Sequence, residues 1–144
     1  MNFERLLFLR EEKDLRQIDI ANILKVNRVN ISNWEHGKEI IPIDKLNIYA
    51  NYFNTSMDYI LKINDNRKKI TDNSTLDKSV IGKRLKEIRT INKITQKDLA
   101  KILNTTQSTI SDYENGVNLI LTSFAYQICV KYNISMDWLC GRKK

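Results

Sequence analysis

The sequence predicts an all-α protein made of two tandem five-helix domains joined by a polar linker. Three observations predict it. Glycine (4) and proline (1) are scarce among the 144 residues, so there are few helix breakers. Apolar residues recur in short runs at helical spacing. The chain also repeats itself: shifted by 79 residues it aligns without a gap from Asn2/Ile81 to Lys62/Gly141, with 17 of 61 pairs identical. Arg10 falls on Arg89, Gln17 on Gln96, Ala21 on Ala100, Ile31 on Ile110, Glu35 on Glu114 and Gly37 on Gly116. Trp34/Tyr113 and Tyr59/Trp138 are conservative pairs. The expected domains are therefore residues 1–62 and 79–144. Residues 63–78 read as the linker, polar and without apolar periodicity. Its Arg67, Lys68 and Lys69 are either solvated or in reach of phosphate.

Each element follows in order. Phe3, Leu6, Leu9 and Arg10 mark helix one from an Asn2 cap; Ile81, Leu85, Ile88 and Arg89 repeat it from a Ser79 cap. Helix two opens at Gln17 or Gln96. Thr95 is a good N-cap for the second copy, and Arg16 a weaker one for the first. The helix ends at Leu24 or Leu103 in a tight turn, where Asn104 tolerates a left-handed backbone more easily than Lys25. Helix three runs from Arg28 to His36 or from Gln107 to Asn115, and Gly37 and Gly116 stop it. Helix four covers residues 42–52 and 122–131. Helix five starts at a Ser56 or Ser135 cap.

In helix three, Ile31 with Trp34 and Ile110 with Tyr113 form the buried stripe. Asn27, Arg28, Asn30 and Asn33, or Thr106, Gln107, Ser108, Thr109 and Asp112, remain on the other face. That face carries mostly short donors and acceptors of the kind that meet base edges in a major groove.

Composition bounds the function. Net charge is +7, with 42% hydrophobic and 28% charged residues. No apolar run approaches the ~20 residues of a membrane span, and no signal-peptide pattern opens the chain, so a cytoplasmic protein is expected. Cys129 and Cys140 form no Cys-x-x-Cys pair, and the single His36 completes no metal cluster; two reduced, buried thiols are expected. There is no Ser/His/Asp set and no glycine-rich phosphate loop, so neither enzyme, cofactor nor small-molecule ligand is indicated. The charge is uneven. Residues 1–62 hold nine Lys/Arg and nine Asp/Glu, whereas residues 80–144 hold eleven and five. Lys83, Arg84, Lys86, Lys97, Lys101 and the tail Arg142, Lys143 and Lys144 are the candidate cations for a polyanionic partner.

The pattern Gln…Ala…Ile-Ser-x-aromatic-Glu-x-Gly resembles the helix-turn-helix family of phage repressors and Cro proteins, also called the xenobiotic-response-element type. It reads Gln17-Ile18-Asp19-Ile20-Ala21 with Ile31-Ser32-Asn33-Trp34-Glu35-His36-Gly37, and again Gln96-Lys97-Asp98-Leu99-Ala100 with Ile110-Ser111-Asp112-Tyr113-Glu114-Asn115-Gly116. The resemblance implies lambda-repressor-like DNA-binding domains. It implies base reading by Arg28, Val29, Asn30 and Asn33, and by Gln107, Ser108, Thr109 and Asp112. It implies phosphate contacts from Gln17, Asn27, Lys38, Gln96, Lys97 and Thr106, and internal salt bridges Arg10–Glu35 and Arg89–Glu114. The expected partner is double-stranded DNA, bound by a transcriptional regulator, a repressor, at adjacent non-identical half-sites.

The sequence departs from the family after helix three. Lys38-Glu39-Ile40-Ile41-Pro42 and Val117-Asn118-Leu119-Ile120-Leu121 replace the usual basic clamp, and each apolar stretch serves either the core or an interface. An alternative division of labour follows, in which the neutral first domain is a dimerisation or partner-docking module and only the second binds DNA.

Overall fold

The structure is a computed structural model that describes residues 1–68 and 75–144. Lys69, the last residue of the basic run, lies outside the described residues. The chain divides into two compact units, Met1–Thr75 and Leu76–Lys144. The described residues form ten α-helices. The first unit has α1 (Glu4–Glu12), α2 (Gln17–Leu24), α3 (Arg28–Glu35), α4 (Ile43–Tyr52) and α5 (Met57–Ile60). The second has α6 (Lys78–Ile91), α7 (Gln96–Ile102), α8 (Gln107–Glu114), α9 (Thr122–Tyr132) and α10 (Met136–Leu139).

Side chains that satisfy free backbone amides set the helix starts. Thr95 and Asp98 form a reciprocal capping box on α7, with the Asp98 amide donating to Thr95 Oγ1 at 3.0 Å and the Thr95 amide to Asp98 Oδ2 at 2.9 Å. The first unit has half of it: the Arg16 amide donates to Asp19 at 2.8 Å, and an arginine has no lone pair with which to answer. Ser56 and Ser135 accept from the Tyr59 and Trp138 amides. One expected cap is corrected. Ser79 lies inside α6, and Asp77 caps it by accepting from the Ser79 amide at 2.8 Å; its negative charge also suits a helix N-terminus.

Turns repeat more faithfully than sequence. Every described residue with positive φ belongs to one of five pairs 79 apart: Asp14/Lys93, Lys25/Asn104, Gly37/Gly116, Asn54/Asn133 and Lys62/Gly141. Each helix thus ends beside one left-handed residue, whether or not that residue is glycine. The cores match as well. Leu6, Leu9, Ile20, Leu24, Ile31 and Met57 are buried in the first unit, and Leu85, Ile88, Leu99, Leu103, Ile110 and Met136 in the second. Each such side chain contributes about 1.5–3 kcal/mol by leaving water. The apolar stretches after helix three divide: Ile41, Ile43 and Ile120 are buried, whereas Ile40, Val117 and Leu121 are exposed. Cys129 and Cys140 are free and buried.

Two features separate the units. Helix α6 has 14 residues where α1 has 9. Its extra turn brings Gly82 against the end of α8, where a Cβ would lie 2.4 Å from the Tyr113 carbonyl oxygen and 2.7 Å from that of Glu114. The second feature lies in the stretch expected as linker. Residues 63–68 are bound to the first unit as a strap. Ser56 donates its hydroxyl to the Asn66 carbonyl at 2.7 Å and its amide to the Arg67 carbonyl at 3.2 Å. Thr55 and Lys68 form an antiparallel bridge, and Arg67 grips Glu12 with two bonds of 3.0 and 2.7 Å. Asn64 and Asn66 brace the strap by accepting amides two residues ahead. Polarity concealed this order, because the strap folds through hydrogen bonds and a charge pair.

Candidate nucleic-acid interface

Each unit presents a helix, a tight turn and a second helix. In the first, Lys25 takes φ 57° and the Val26 amide returns to the Ala21 carbonyl at 2.9 Å. In the second, Asn104 takes φ 56° and Thr105 returns to Ala100 at 2.8 Å. Ala21 and Ala100 are buried, and their small side chains let the two helices approach closely. The turn delivers Asn27 and Thr106 in extended conformation at the N-caps of α3 and α8. Thr106 accepts the Thr109 amide at 3.2 Å and shares a 2.9 Å hydroxyl contact with Thr109, whereas Asn27 makes no such side-chain bond.

The expected base-reading residues lie along these helices. Arg28, Val29, Gln107 and Ser108 are exposed, and Asn30, Asn33, Thr109 and Asp112 are half-buried. Of the expected phosphate contacts, Asn27, Lys38, Lys97 and Thr106 are exposed, and Gln17 and Gln96 are half-buried.

A buried ion pair fixes each of these helices to helix one. Arg10 binds Glu35 through Nε at 2.6 Å and Nη2 at 3.0 Å, and donates from Nη1 to the Leu15 carbonyl at 2.8 Å. Arg89 repeats this on Glu114 at 2.8 and 3.0 Å and on the Ile94 carbonyl at 3.1 Å. The glutamate side chains are 2% and 3% exposed, so both ends of each pair must be satisfied internally. The bidentate hydrogen bonds raise both guanidinium pKa values above their ordinary range.

The glutamines at the start of helix two are drawn into the same clamps. Gln17 Nε2 donates to Glu35 at 2.9 Å and Gln96 Nε2 to Glu114 at 3.2 Å. One amide hydrogen of each of these two glutamines, both expected phosphate contacts, is therefore used internally. In the first unit the relay reaches the surface, because Arg28 Nη1 donates to Gln17 Oε1 at 3.0 Å. A continuous chain of bonds runs from part-buried Arg10 through Glu35 and Gln17 to Arg28.

Sequence reasoning missed a second repeated arginine. Arg5 stacks over the Tyr59 ring at 4.2 Å and donates to the Tyr59 and Asn64 carbonyls at 2.6 and 2.9 Å. Arg84 lies over Trp138 at 4.9 Å and donates to the carbonyls of Trp138 and Lys143. The signal was present in the self-alignment, where Arg5/Arg84 is identical and Tyr59/Trp138 is an aromatic pair. This removes Arg84 from the candidate cations. Arg142 is removed too, since it forms a buried pair with Asp137 at 2.8 Å. Lys83, Lys86, Lys97, Lys101 and Lys144 remain exposed, and Lys143 is half-buried.

Among the described residues no helix is long and apolar enough to cross a membrane, and no group of three His, Cys, Asp or Glu side chains is placed to hold a metal ion.

The chain is 34% identical over 65 residues to the antitoxin PezA of Streptococcus pneumoniae serotype 4 (strain ATCC BAA-334 / TIGR4). The alignment takes in 45% of this chain and 41% of that protein, so the chain spans less than half the length of this relative. The family described as "Helix-turn-helix domain" matches twice, over residues 3–66 and again over residues 82–143, in register with the two units. The chain belongs to the helix-turn-helix domain family and carries two copies of that domain.

Proposed function

We propose that the chain is a sequence-specific DNA-binding transcriptional regulator, a repressor, that inserts α3 and α8 into the major groove at adjacent, non-identical half-sites. The observation that carries this reading is the pairing of an exposed polar helix start with a buried arginine–glutamate clamp, repeated in both units. Arg28 reads guanine and Asn30 or Asn33 reads adenine, while Gln107 leads the second reading face. Each good bidentate contact is worth about 1–3 kcal/mol of discrimination. The half-buried glutamines and the exposed lysines near α6 and α7 serve phosphates. The likeness to a protein named as an antitoxin fits a chain that acts by binding.

Half-sites one helical turn apart are about 34 Å from centre to centre. Both domains lie on one chain, which favours neighbouring half-sites over distant ones. Tethering raises the effective concentration of the second unit to about the millimolar range.

A second reading is favoured by the charge balance of residues 1–62, nine cations against nine anions, together with the engagement of Arg28 by Gln17. In it the first unit docks a partner or a second copy, and only the second unit binds DNA. Selection of bound sequences from a random duplex pool separates the readings. The parent is expected to enrich an asymmetric site. Arg28→Ala is expected to relax one half of the site and Gln107→Ala the other, each with about a 5- to 150-fold loss of affinity for the selected site. Arg28→Ala without effect on sequence or affinity would overturn DNA reading by the first unit.

A further inference from the structure

Helices α3 and α8 share a scaffold and present opposite charge. The charged residues of α3 are Arg28 and Glu35, and those of α8 are Asp112 and Glu114. Both glutamates are taken up by the arginine clamps. That leaves α3 with an exposed cation, Arg28, and α8 with a half-buried anion, Asp112. Asp112 lies one turn beyond exposed Ser108, on the side away from buried Ile110 and Tyr113. Among the described residues no ion pair takes up its carboxylate. Its counterpart in the first unit is Asn33, so the two helices differ here by one oxygen against one amide nitrogen.

That difference decides which base each side chain can meet. An anion on this face is unfavourable beside a phosphate backbone, and a base edge offsets the cost only by offering a donor. In the major groove guanine presents N7 and O6 and thymine presents O4, all acceptors that repel a carboxylate. Adenine presents its N6 amine with the N7 acceptor beside it, and cytosine presents the N4 amine. A carboxylate accepts and has nothing to donate, so it meets cytosine best. A carboxamide both donates and accepts, which suits N7 and N6 of adenine. We infer that Asp112 selects cytosine in the half-site read by α8, by accepting a hydrogen bond from the N4 amine, and rejects guanine and thymine by charge repulsion. The inference rests on the reading of α8 as a major-groove helix. Arg28 and Asp112 then address the two edges of a G·C pair, the guanine acceptors in one half-site and the cytosine donor in the other.

The test uses the full chain and duplexes selected from a random pool. Labelling with 5-fluorotryptophan gives one signal in each unit, from Trp34 and Trp138, and checks that every variant folds as the parent does. Asp112→Asn is expected to move one selected position from cytosine to adenine, with about 5- to 150-fold discrimination in each case. Replacing that cytosine by 2-pyrimidinone, which pairs with guanine but lacks the N4 amine, is expected to weaken the parent by a similar factor. Asp112→Ala, with no acceptor, is expected to bind both duplexes equally, and to bind the duplex with guanine or thymine there more tightly than the parent does. An unchanged preference in Asp112→Asn, or equal binding by the parent with and without the amine, overturns the inference. Gln107→Ala separates that failure from a failure of the underlying reading. If Gln107→Ala relaxes the half-site and Asp112→Asn does not, the cytosine contact alone falls; if neither has an effect, α8 does not read bases and both fall.

Discussion

In the first unit the buried clamp is wired outward, from Arg10 through Glu35 and Gln17 to Arg28. In the second the matching relay ends at Gln96. The first unit also buries Tyr49 beside its clamp, where the second has Ile128. Tyr49 donates its hydroxyl to the Leu6 carbonyl, and burial, reinforced by the Glu35 charge, raises its pKa far above the ordinary value. One scaffold has therefore been stabilised in two ways: a polar network behind α3, and a more apolar setting behind α8. Removing the shared glutamate probes this most severely. Glu35→Ala and Glu114→Ala each strand a part-buried arginine, at a cost of up to about 3–5 kcal/mol. Glu35→Ala should cost more, because Gln17 and Arg28 lose their anchor as well. Thermal unfolding followed through the separate Trp34 and Trp138 signals measures each unit, and equal losses would break the distinction.

The second unit depends instead on a close helix crossing. Alanine normally stabilises a helix by about 1 kcal/mol relative to glycine. At Gly82 the sign should invert, because the new Cβ meets two backbone carbonyls that cannot swing aside. We expect Gly82→Ala to destabilise the second unit by about 1–3 kcal/mol and leave the first unchanged. Chemical denaturation reports it, and a gain in stability would show that α6 shifts freely over α8. The counterpart of Gly82 is Phe3, which is buried, so this crossing is not shared.

Acid separates the units next. The Arg67 guanidinium holds the Glu12 carboxyl below its ordinary range, and the second unit has Ile91 at that position. A carboxylate whose folded pKa is depressed adds stability above its unfolded pKa, about 4.3, and loses it as pH falls through the folded value. The strap is thus expected to be secured at neutral pH and loosened below about pH 4. Asp19 and Asp98, depressed by hydrogen bonds from Arg16 and Thr95 respectively, titrate in both units and leave this contrast intact. Hydrogen exchange at the Ser56 amide, which donates to the strap, should accelerate between pH 5 and pH 3 after correction for intrinsic rates. Glu12→Gln should reproduce the faster exchange at neutral pH. A Ser56 amide as protected in Glu12→Gln as in the parent would remove Glu12 from the strap's support.

Much of this was legible in the sequence, and unevenly. The fold was, since helical spacing and the 79-residue repeat are local or self-referential signals. The helix-turn-helix geometry was as well, through Ala21/Ala100 and the glycines after helix three. The strap was not: residues 64–68 have no apolar period, and their order rests on Ser56, Glu12 and Asn side chains that only the fold brings near. The burial of Arg142 was also hidden, because a basic tail gives no sign that Asp137 waits for it in the core. Arg84 escaped for a different reason: charge was read from its sign alone, and the aromatic partner Trp138 was available in the alignment.

The smallest expected difference lies in the turn before α3 and α8. Lys25 and Asn104 take the same left-handed conformation, at φ 57° and 56°. For most side chains that region costs about 1–2 kcal/mol, and asparagine visits it more readily. Glycine removes the strain but adds about 0.5–1 kcal/mol of unfolded-chain entropy. Lys25→Gly should therefore stabilise the first unit by about 0.5–1 kcal/mol, roughly 2–8 °C in a domain of this size. Asn104→Gly should change the second unit little. If both substitutions stabilise equally, the asparagine relieves nothing and the two turns are energetically alike. If only Lys25→Gly does, the first unit tolerates a strained residue in the turn between α2 and α3, and lysine there brings a positive charge that asparagine does not.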